Sequence, residues 1–261
     1  MSQQLIVAGF HRSGTSLVCQ LLNQAGLFLG YDLFEANFSN PHGHFEDLEI
    51  LKLHERILSD NGLTWQVDTP LVPIITGDSW REMRRIVERR NAEHSLWGFK
   101  DPRVCSFLMV WKHLLPAAKV LLVYRHFSDA TYSLAQRHAT LLLRNRGRMY
   151  LHRRFWEQPD LALRMWLVSN ELLLTFAQIY PEDTLAVSME MVRSGFPVVE
   201  AIEKRWGLDL KNVAGPGVFD ASVTGGRRGR QPVSDVRLIE RVERTWRALE
   251  GLGERTQRMV G

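Results

Sequence analysis

The sequence predicts an α/β protein: a single domain over residues 1–261 in which helices flank a central parallel sheet. Three observations carry this expectation. Four short apolar runs, Leu5–Ala8, Trp97–Lys100, Lys119–Tyr124 and Thr184–Val187, alternate with segments of helical period. The runs are almost continuously apolar, as strands covered on both faces are. No linker divides the chain into two units.

Taken in order, Leu5–Ala8 runs into Gly9 and reads as a buried strand. From Thr15 the spacing of Leu17, Val18, Leu21, Leu22 and Ala25 is helical, with Gly26 where a C-cap falls. A loop through Asn40-Pro41-His42-Gly43 precedes a helix from Glu46 to Leu58. Ser79–Arg90 reads as a solvated, arginine-rich helix, Trp97–Lys100 as a strand, and Val104–Leu115 as one helix stopped by Pro116. Lys119–Tyr124 is the clearest strand, and an amphipathic helix follows from Ser128. Asp160 is placed to cap a long apolar helix to Ile179, ended by Pro181. Thr184–Val187 is the fourth strand, Pro197–Trp206 a helix, Val213–Pro232 irregular, and Ser234–Leu249 the last helix. Right-handed crossovers then put helices on both faces of the sheet.

At 261 residues the chain can bury a sizeable core, and 45% apolar with 24% charged residues excludes the disordered and low-complexity classes. No apolar run approaches the ~18 residues of a membrane span. Met1–Gln4 lead straight into a strand without a basic region or cleavage site, so no secretory signal is expected. Cys19 and Cys105 sit in apolar helical pattern, which fits a reducing cytoplasm rather than a disulfide framework. Of the 33 basic residues 27 are arginine, the better bidentate partner for phosphate and carboxylate. GC-rich codon usage also raises arginine, so each one is judged by position. Basic and aromatic residues do not interleave on one strand face, and no nucleic-acid partner is expected.

Gly9-Phe10-His11-Arg12-Ser13-Gly14-Thr15-Ser16 follows a strand and opens a helix, the setting in which loop amides and the helix dipole converge on an anion. The glycine spacing matches a P-loop, but Thr15 stands where the phosphate-binding lysine belongs, and Arg12 supplies a cation two residues before Gly14. A nucleoside triphosphate loses its main counter-charge there, whereas a single phosphate carrying one more tetrahedral group is well served. The second element is Arg125, at the end of the clearest strand, with Ser133 eight residues on inside the next helix. Ligands bind at that edge of open α/β sheets, where an arginine can grip a phosphate bidentately.

Arg12-Ser13-Gly14-Thr15-Ser16 and the Arg125/Ser133 pair resemble the 5′-phosphosulfate loop and 3′-phosphate motif of sulfotransferases that use 3′-phosphoadenosine 5′-phosphosulfate (PAPS). The resemblance, to bacterial members in particular, covers roughly the first 135 residues and implies a P-loop-like sulfotransferase fold. His126-Phe127 replaces the Asn-Pro or Asp-Pro that often follows the arginine. The resemblance further implies that His11, Arg12, Ser13, Gly14, Thr15, Ser16, Arg125 and Ser133 hold the nucleotide. Arg227 and Arg228, in Gly225–Arg230, loosely resemble a late basic loop over the 3′-phosphate.

Asn40–Asp47 resembles a segment of bacterial sulfotransferases whose glutamate is the general base, and Glu46 matches it. Acidic residues are also favoured in a first helical turn, which would account for Glu46, Asp47 and Glu49 without chemistry. His44 is the rival base. His42 and His44 lack partners at metal-ligand spacing, so no metal is expected. Lys100, in a segment resembling the family's Lys-(Asp/Thr)-Pro, is placed to steady the leaving group, while Arg103 either joins it or only pairs with Asp101. The arginines between 144 and 154 read as a solvated connection. The expected activity is sulfuryl transfer from PAPS to a hydroxyl or amine of a small-molecule, carbohydrate or lipid acceptor. The alternatives are a P-loop small-molecule kinase and a non-catalytic anion- or nucleic-acid-binding protein.

Overall fold

The computed structural model describes residues 2–35, 43–211 and 235–260. Four parallel strands, β1 (Gln3–Ala8), β2 (Leu96–Lys100), β3 (Lys119–Tyr124) and β4 (Thr184–Ser188), form one sheet in the order β2-β1-β3-β4. Register pairs Val7 with Lys100 on one side of β1 and with Leu121 on the other. The continuous apolar runs have their expected cause. Ile6 and Ala8 face one core cluster, Leu5 and Val7 a second, and all four are buried. Both faces of the sheet are therefore covered, as parallel sheets require.

On one face pack α1 (Thr15–Gln24), α8 (Met189–Arg193) and α9 (Val198–Trp206). The other face carries α2 (Leu48–Asp60), α3 (Gly77–Glu93), α4 (Leu108–Leu114), α5 (Phe127–Leu143), α7 (Leu161–Ile179) and α10 (Val236–Val260). The short α6 (Met149–Glu157) continues the layer beside α5, with Leu151 and His152 buried. The outer edges of the sheet are also closed. Gly98 N–H of β2 donates to Phe28 O at 2.8 Å, and Ala186 N–H of β4 donates to Thr256 Oγ1 of α10 at 3.2 Å. No described helix is long and apolar enough to cross a membrane, and Cys19 and Cys105 are free and buried.

Several elements depart from the sequence reading. Val104–Leu115 is not one helix: Asp101 caps a 3₁₀ turn over Pro102–Ser106, and α4 starts afresh at Leu108. Pro102 at the first position lacks an amide and favours this tight start. Arginines 144–154 are not merely a connection, because α6 lies among them. The last helix runs eleven residues past Leu249, to Val260. Asp160 stands at the N-cap of α7 without a side-chain cap bond. Helix α2 begins at Leu48, with Asp47 as its N-cap accepting from Glu49 N–H, so Glu46 lies outside the first turn.

Topology positions the site. From β1 the chain crosses to β2 on one side, and from β3 to β4 on the other, so the carboxyl ends of β1 and β3 flank a topological switch point. Open α/β sheets bind ligands in that crevice. A Cβ on Gly9 would overlap the Val123 carbonyl oxygen, so glycine here lets the chain leaving β1 pass against β3.

Candidate functional site

The loop after β1 turns tightly, Ser13 N–H donating to Phe10 O at 3.2 Å. Gly14 caps α1 in the left-handed region (φ 92), where it offers no side chain, so the first-turn amides carry no side-chain cap. Arg12 is also left-handed (φ 64), a conformation that costs a non-glycine residue energy and recurs at binding sites. Its side chain is thereby aimed across the switch point, and Arg12 Nε donates to Ser133 Oγ at 3.0 Å. Arg125 Nη1 donates to the Arg12 carbonyl at 3.4 Å, and Trp166 Nε1 holds the Arg125 carbonyl at 3.3 Å. The two motifs, more than a hundred residues apart in sequence, thus meet in one place. His126 performs the turn chemistry at the start of α5, its Nδ1 accepting from Ser128 N–H at 3.3 Å.

Beside the loop sits a second group. Lys100 Nζ, at the end of β2, donates to Glu46 Oε1 at 2.8 Å and to Ser16 Oγ at 3.3 Å. Ser16 Oγ in turn donates to the His44 carbonyl at 3.2 Å. Lys100 is 1% exposed and Glu46 9%, so this is a largely buried pair that ties the acidic segment to the phosphate loop. Asp47 pairs instead with the buried Arg90, and Glu49 with Arg89 and Arg90. Arg103 does pair with Asp101, at 2.7 Å, and also with Glu55 at 3.0 Å. Trp111 Nε1 donates to His54 Nε2 at 2.9 Å, which leaves the His54 proton on Nδ1 for Asp101 Oδ2 at 2.7 Å.

The electrostatics of this edge are strongly positive. Burial, then Arg137 and Arg125, push Arg12 down to about 10. Burial, then Arg137, Lys100 and Arg12, push His44 down to about 3, leaving a neutral imidazole whose conjugate acid is strong. That makes His44 a weak acceptor of protons near neutrality. His138 is likewise pushed down to about 3, by burial and then Arg137. Several polar atoms here are buried without a hydrogen-bond partner among the described residues: Ser13 Oγ, His44 Nε2, Arg125 Nε and Arg137 Nε. Such orphaned polar atoms are costly unless a ligand or water completes them.

The structure brings His11, Arg12, Ser13, Gly14, Thr15, Ser16, Lys100, Arg125 and Ser133 to one edge of the sheet, with His44 and Glu46 against the loop. Arg227, Arg228, Asn40 and His42 lie outside the described residues. Sequence reasoning passed over Arg137. Its signal was available: it sits four residues after Ser133 and so on the same helix face. No protein-family model matches this chain, and no curated protein matches it.

Proposed function

We propose that this edge binds PAPS and transfers its sulfuryl group to an acceptor hydroxyl or amine, on a sulfotransferase fold. The observation that carries the reading is the convergence of Arg12, Ser133 and Arg125 at the switch point, joined by 3.0 and 3.4 Å contacts. The donor set fits a short, doubly anionic group: uncapped loop amides, Ser13 Oγ, and two arginines with Arg125 Nε still unpartnered. Bound there, PAPS supplies an activated sulfuryl group and a phosphate leaving group. Arg125 and Ser133 hold the nucleotide's 3′-phosphate, and the loop amides with Thr15 and Ser16 its 5′ end. Arg12 opposes the charge that shifts during transfer.

Glu46 takes the acceptor's proton as the oxygen–sulfur bond forms and the bond from sulfur to the phosphate oxygen breaks. Lys100, donating to both Glu46 and Ser16, fixes the carboxylate against the loop and steadies the departing phosphate. The kinase reading lacks its phosphate-binding lysine, because Thr15 occupies that position. Thermal shift with adenosine 3′,5′-bisphosphate against ATP plus magnesium tests the choice. Stabilisation by the bisphosphate of about 2.7 kcal/mol at a hundredfold excess over Kd is the expected result. Stabilisation by ATP–magnesium alone overturns it. Transfer of labelled sulfate to a panel of acceptors then separates an enzyme from an anion-binding protein.

A further inference from the structure

Helix α6 and the turn before it carry charge that the proposed site does not use. Between Leu143 and Glu157 stand five arginines, at 144, 146, 148, 153 and 154, against Glu157 alone. Three of the ten large apolar side chains exposed among the described residues fall in the same stretch: Leu143 at 88%, Tyr150 at 59% and Trp156 at 62%. Single exposed apolar residues are ordinary, but a group of them set among cations is not. Spacing explains how they come together. Tyr150, Arg153 and Trp156 follow one another at three-residue intervals, which on a helix makes a continuous strip. The opposite face is already spent on the protein: Leu151 and His152 are buried, and Phe155 stacks on His138 with ring centroids 4.8 Å apart. The turn is pinned to the helix as well, because His152 Nε2 donates to the Arg146 carbonyl at 3.0 Å. Asn145 and Gly147, both left-handed (φ 48 and 80), let the chain reverse there.

Charge decides the kind of partner. Helix α3 is also arginine-rich, yet four carboxylates offset its five arginines, and Arg81 and Arg84 pair with Asp78 and Glu88 of the same helix. The α6 stretch has no such balance. Glu55 reaches Arg148 at 4.0 Å, and it already pairs with Arg103 at 3.0 Å. Arginines interleaved with an indole, a phenol and a leucine match the headgroup layer of an anionic bilayer. Phosphates meet the guanidinium groups there, and tryptophan and tyrosine rings lie level with the headgroups. Single-stranded nucleic acid also takes arginines and flat rings, but the exposed Leu143 offers no face to stack on, whereas lipid chains can receive it. We infer that the turn and the outer strip of α6 are a peripheral docking surface for membranes rich in anionic phospholipid. Contact is superficial, since the apolar side of α6 is inside the protein and no described helix is long and apolar enough to cross a membrane. The inner side of α6 reaches the phosphate loop through Phe155, Trp65 and His11, whose rings pack in series at 6.1 and 5.0 Å. Nothing in this surface depends on sulfuryl transfer at the site.

The test is co-sedimentation of the full chain with vesicles of phosphatidylcholine alone and of phosphatidylcholine mixed equally with phosphatidylglycerol, at low salt. Wild type should favour the anionic vesicles by about 10-fold or more, and lose the preference as salt screens it. The triple variant Arg146→Gln, Arg148→Gln, Arg153→Gln should bind them about 100-fold more weakly, near fivefold for each arginine. Arg81→Gln, Arg84→Gln, Arg85→Gln removes the same charge from α3 and should change binding by less than about fivefold. These side chains are all exposed, so Tm should stay near wild type. Trp156 is the exposed tryptophan among the described residues, and its fluorescence should shift to the blue and be quenched by brominated lipid. Trp156→Phe should still dock and lose that signal. No preference for anionic vesicles, or an equal loss in the α3 variant, overturns the proposal. So does binding with no change in Trp156 fluorescence, which would put the contact elsewhere on the chain. A single-stranded oligonucleotide held more tightly than the vesicles, and released in the α6 variant, also overturns it by making the strip a nucleic-acid surface. Adenosine 3′,5′-bisphosphate binding is scored separately: its absence with vesicle docking intact would fell the nucleotide reading and leave the membrane surface standing.

Discussion

Lys112 at one end of the sheet and the arginines Arg125 and Arg137 at the other differ in how fully their nitrogens are used, although Lys100 at the carboxyl edge is paired with Glu46. At the amino edge, Lys112 Nζ donates to Pro116 O at 2.7 Å, Ala118 O at 2.9 Å and Asp183 Oδ2 at 2.7 Å, and Lys119 at the start of β3 pairs with the same carboxylate. An ammonium group has three donors, and all three are used. At the carboxyl edge, Arg125 and Arg137 each keep a buried nitrogen without a partner, and Ser13 Oγ is stranded beside them. A satisfied network holds a fold together, whereas the unpartnered atoms at the carboxyl edge are the ones the proposed ligand would complete.

The largest expected effect belongs to Glu46→Gln, which keeps shape while removing basicity. Turnover should fall by on the order of 10² to 10⁴ with bisphosphate affinity near wild type, measured by single-turnover kinetics. His44→Gln should keep most activity, because the buried imidazole, pushed down to about 3, is a poor base. Near-wild-type turnover in Glu46→Gln would return Glu46 to a structural partner of Lys100.

Lys112→Ala should act on the opposite edge, costing about 2–4 kcal/mol in denaturant unfolding because two carbonyls lose their donor and Asp183 keeps only Lys119. Bisphosphate binding should not move. Arg125→Ala reverses the pattern: bisphosphate binding weakens by about 1.5–3 kcal/mol while unliganded stability stays within about 1 kcal/mol. A variant at either edge that moves both quantities together would break the contrast.

A further effect separates the edges by pH. His44 and His138 are held far below the ordinary value of about 6.5, by burial first and Arg137 second. As pH falls below about 6.5 the unfolded chain takes protons that these folded imidazoles refuse, so stability declines. Burial alone would raise Asp183, but its hydrogen bonds from Lys112 and Lys119 win and hold it below the usual carboxylate range. Its contribution is present above about pH 4 and lost only as pH falls further. Denaturation series between about pH 6.5 and 4.5 should therefore become shallower in His44→Gln, with His138 keeping part of the slope, and keep their slope in Asp183→Asn.

How much of this was legible follows from distance along the chain. Arg12–Ser16 and the Arg125/Ser133 pair are local patterns next to strand ends, and their elements fell where period and capping placed them. The Glu46–Lys100 pair joins residues 54 apart, which no local spacing can encode. Helix α6 was hidden because its charged residues outnumber the apolar side chains it buries, which include Leu151. The break after Ser106 escaped because a 3₁₀ turn led by Pro102 leaves the apolar spacing of Val104–Leu115 almost helical. Arg137 was missed for a different reason. Its place on the Ser133 face of α5 was readable from the spacing, whereas its buried Nε without a partner is seen only in the folded neighbours.

The hydrogen bond from Ala186 N–H to Thr256 Oγ1 has a consequence for synthesis. Strand β4 is the outermost strand on its side, and its remaining face of hydrogen-bonding groups is covered by α10, some seventy residues later in the chain. A nascent chain leaving the ribosome can pair β1, β2 and β3 and add β4, yet still present an open strand edge to its neighbours. Such edges recruit other chains. Arrival of residues 236–260 seals it, so the final helix works as an internal guard against self-association during folding.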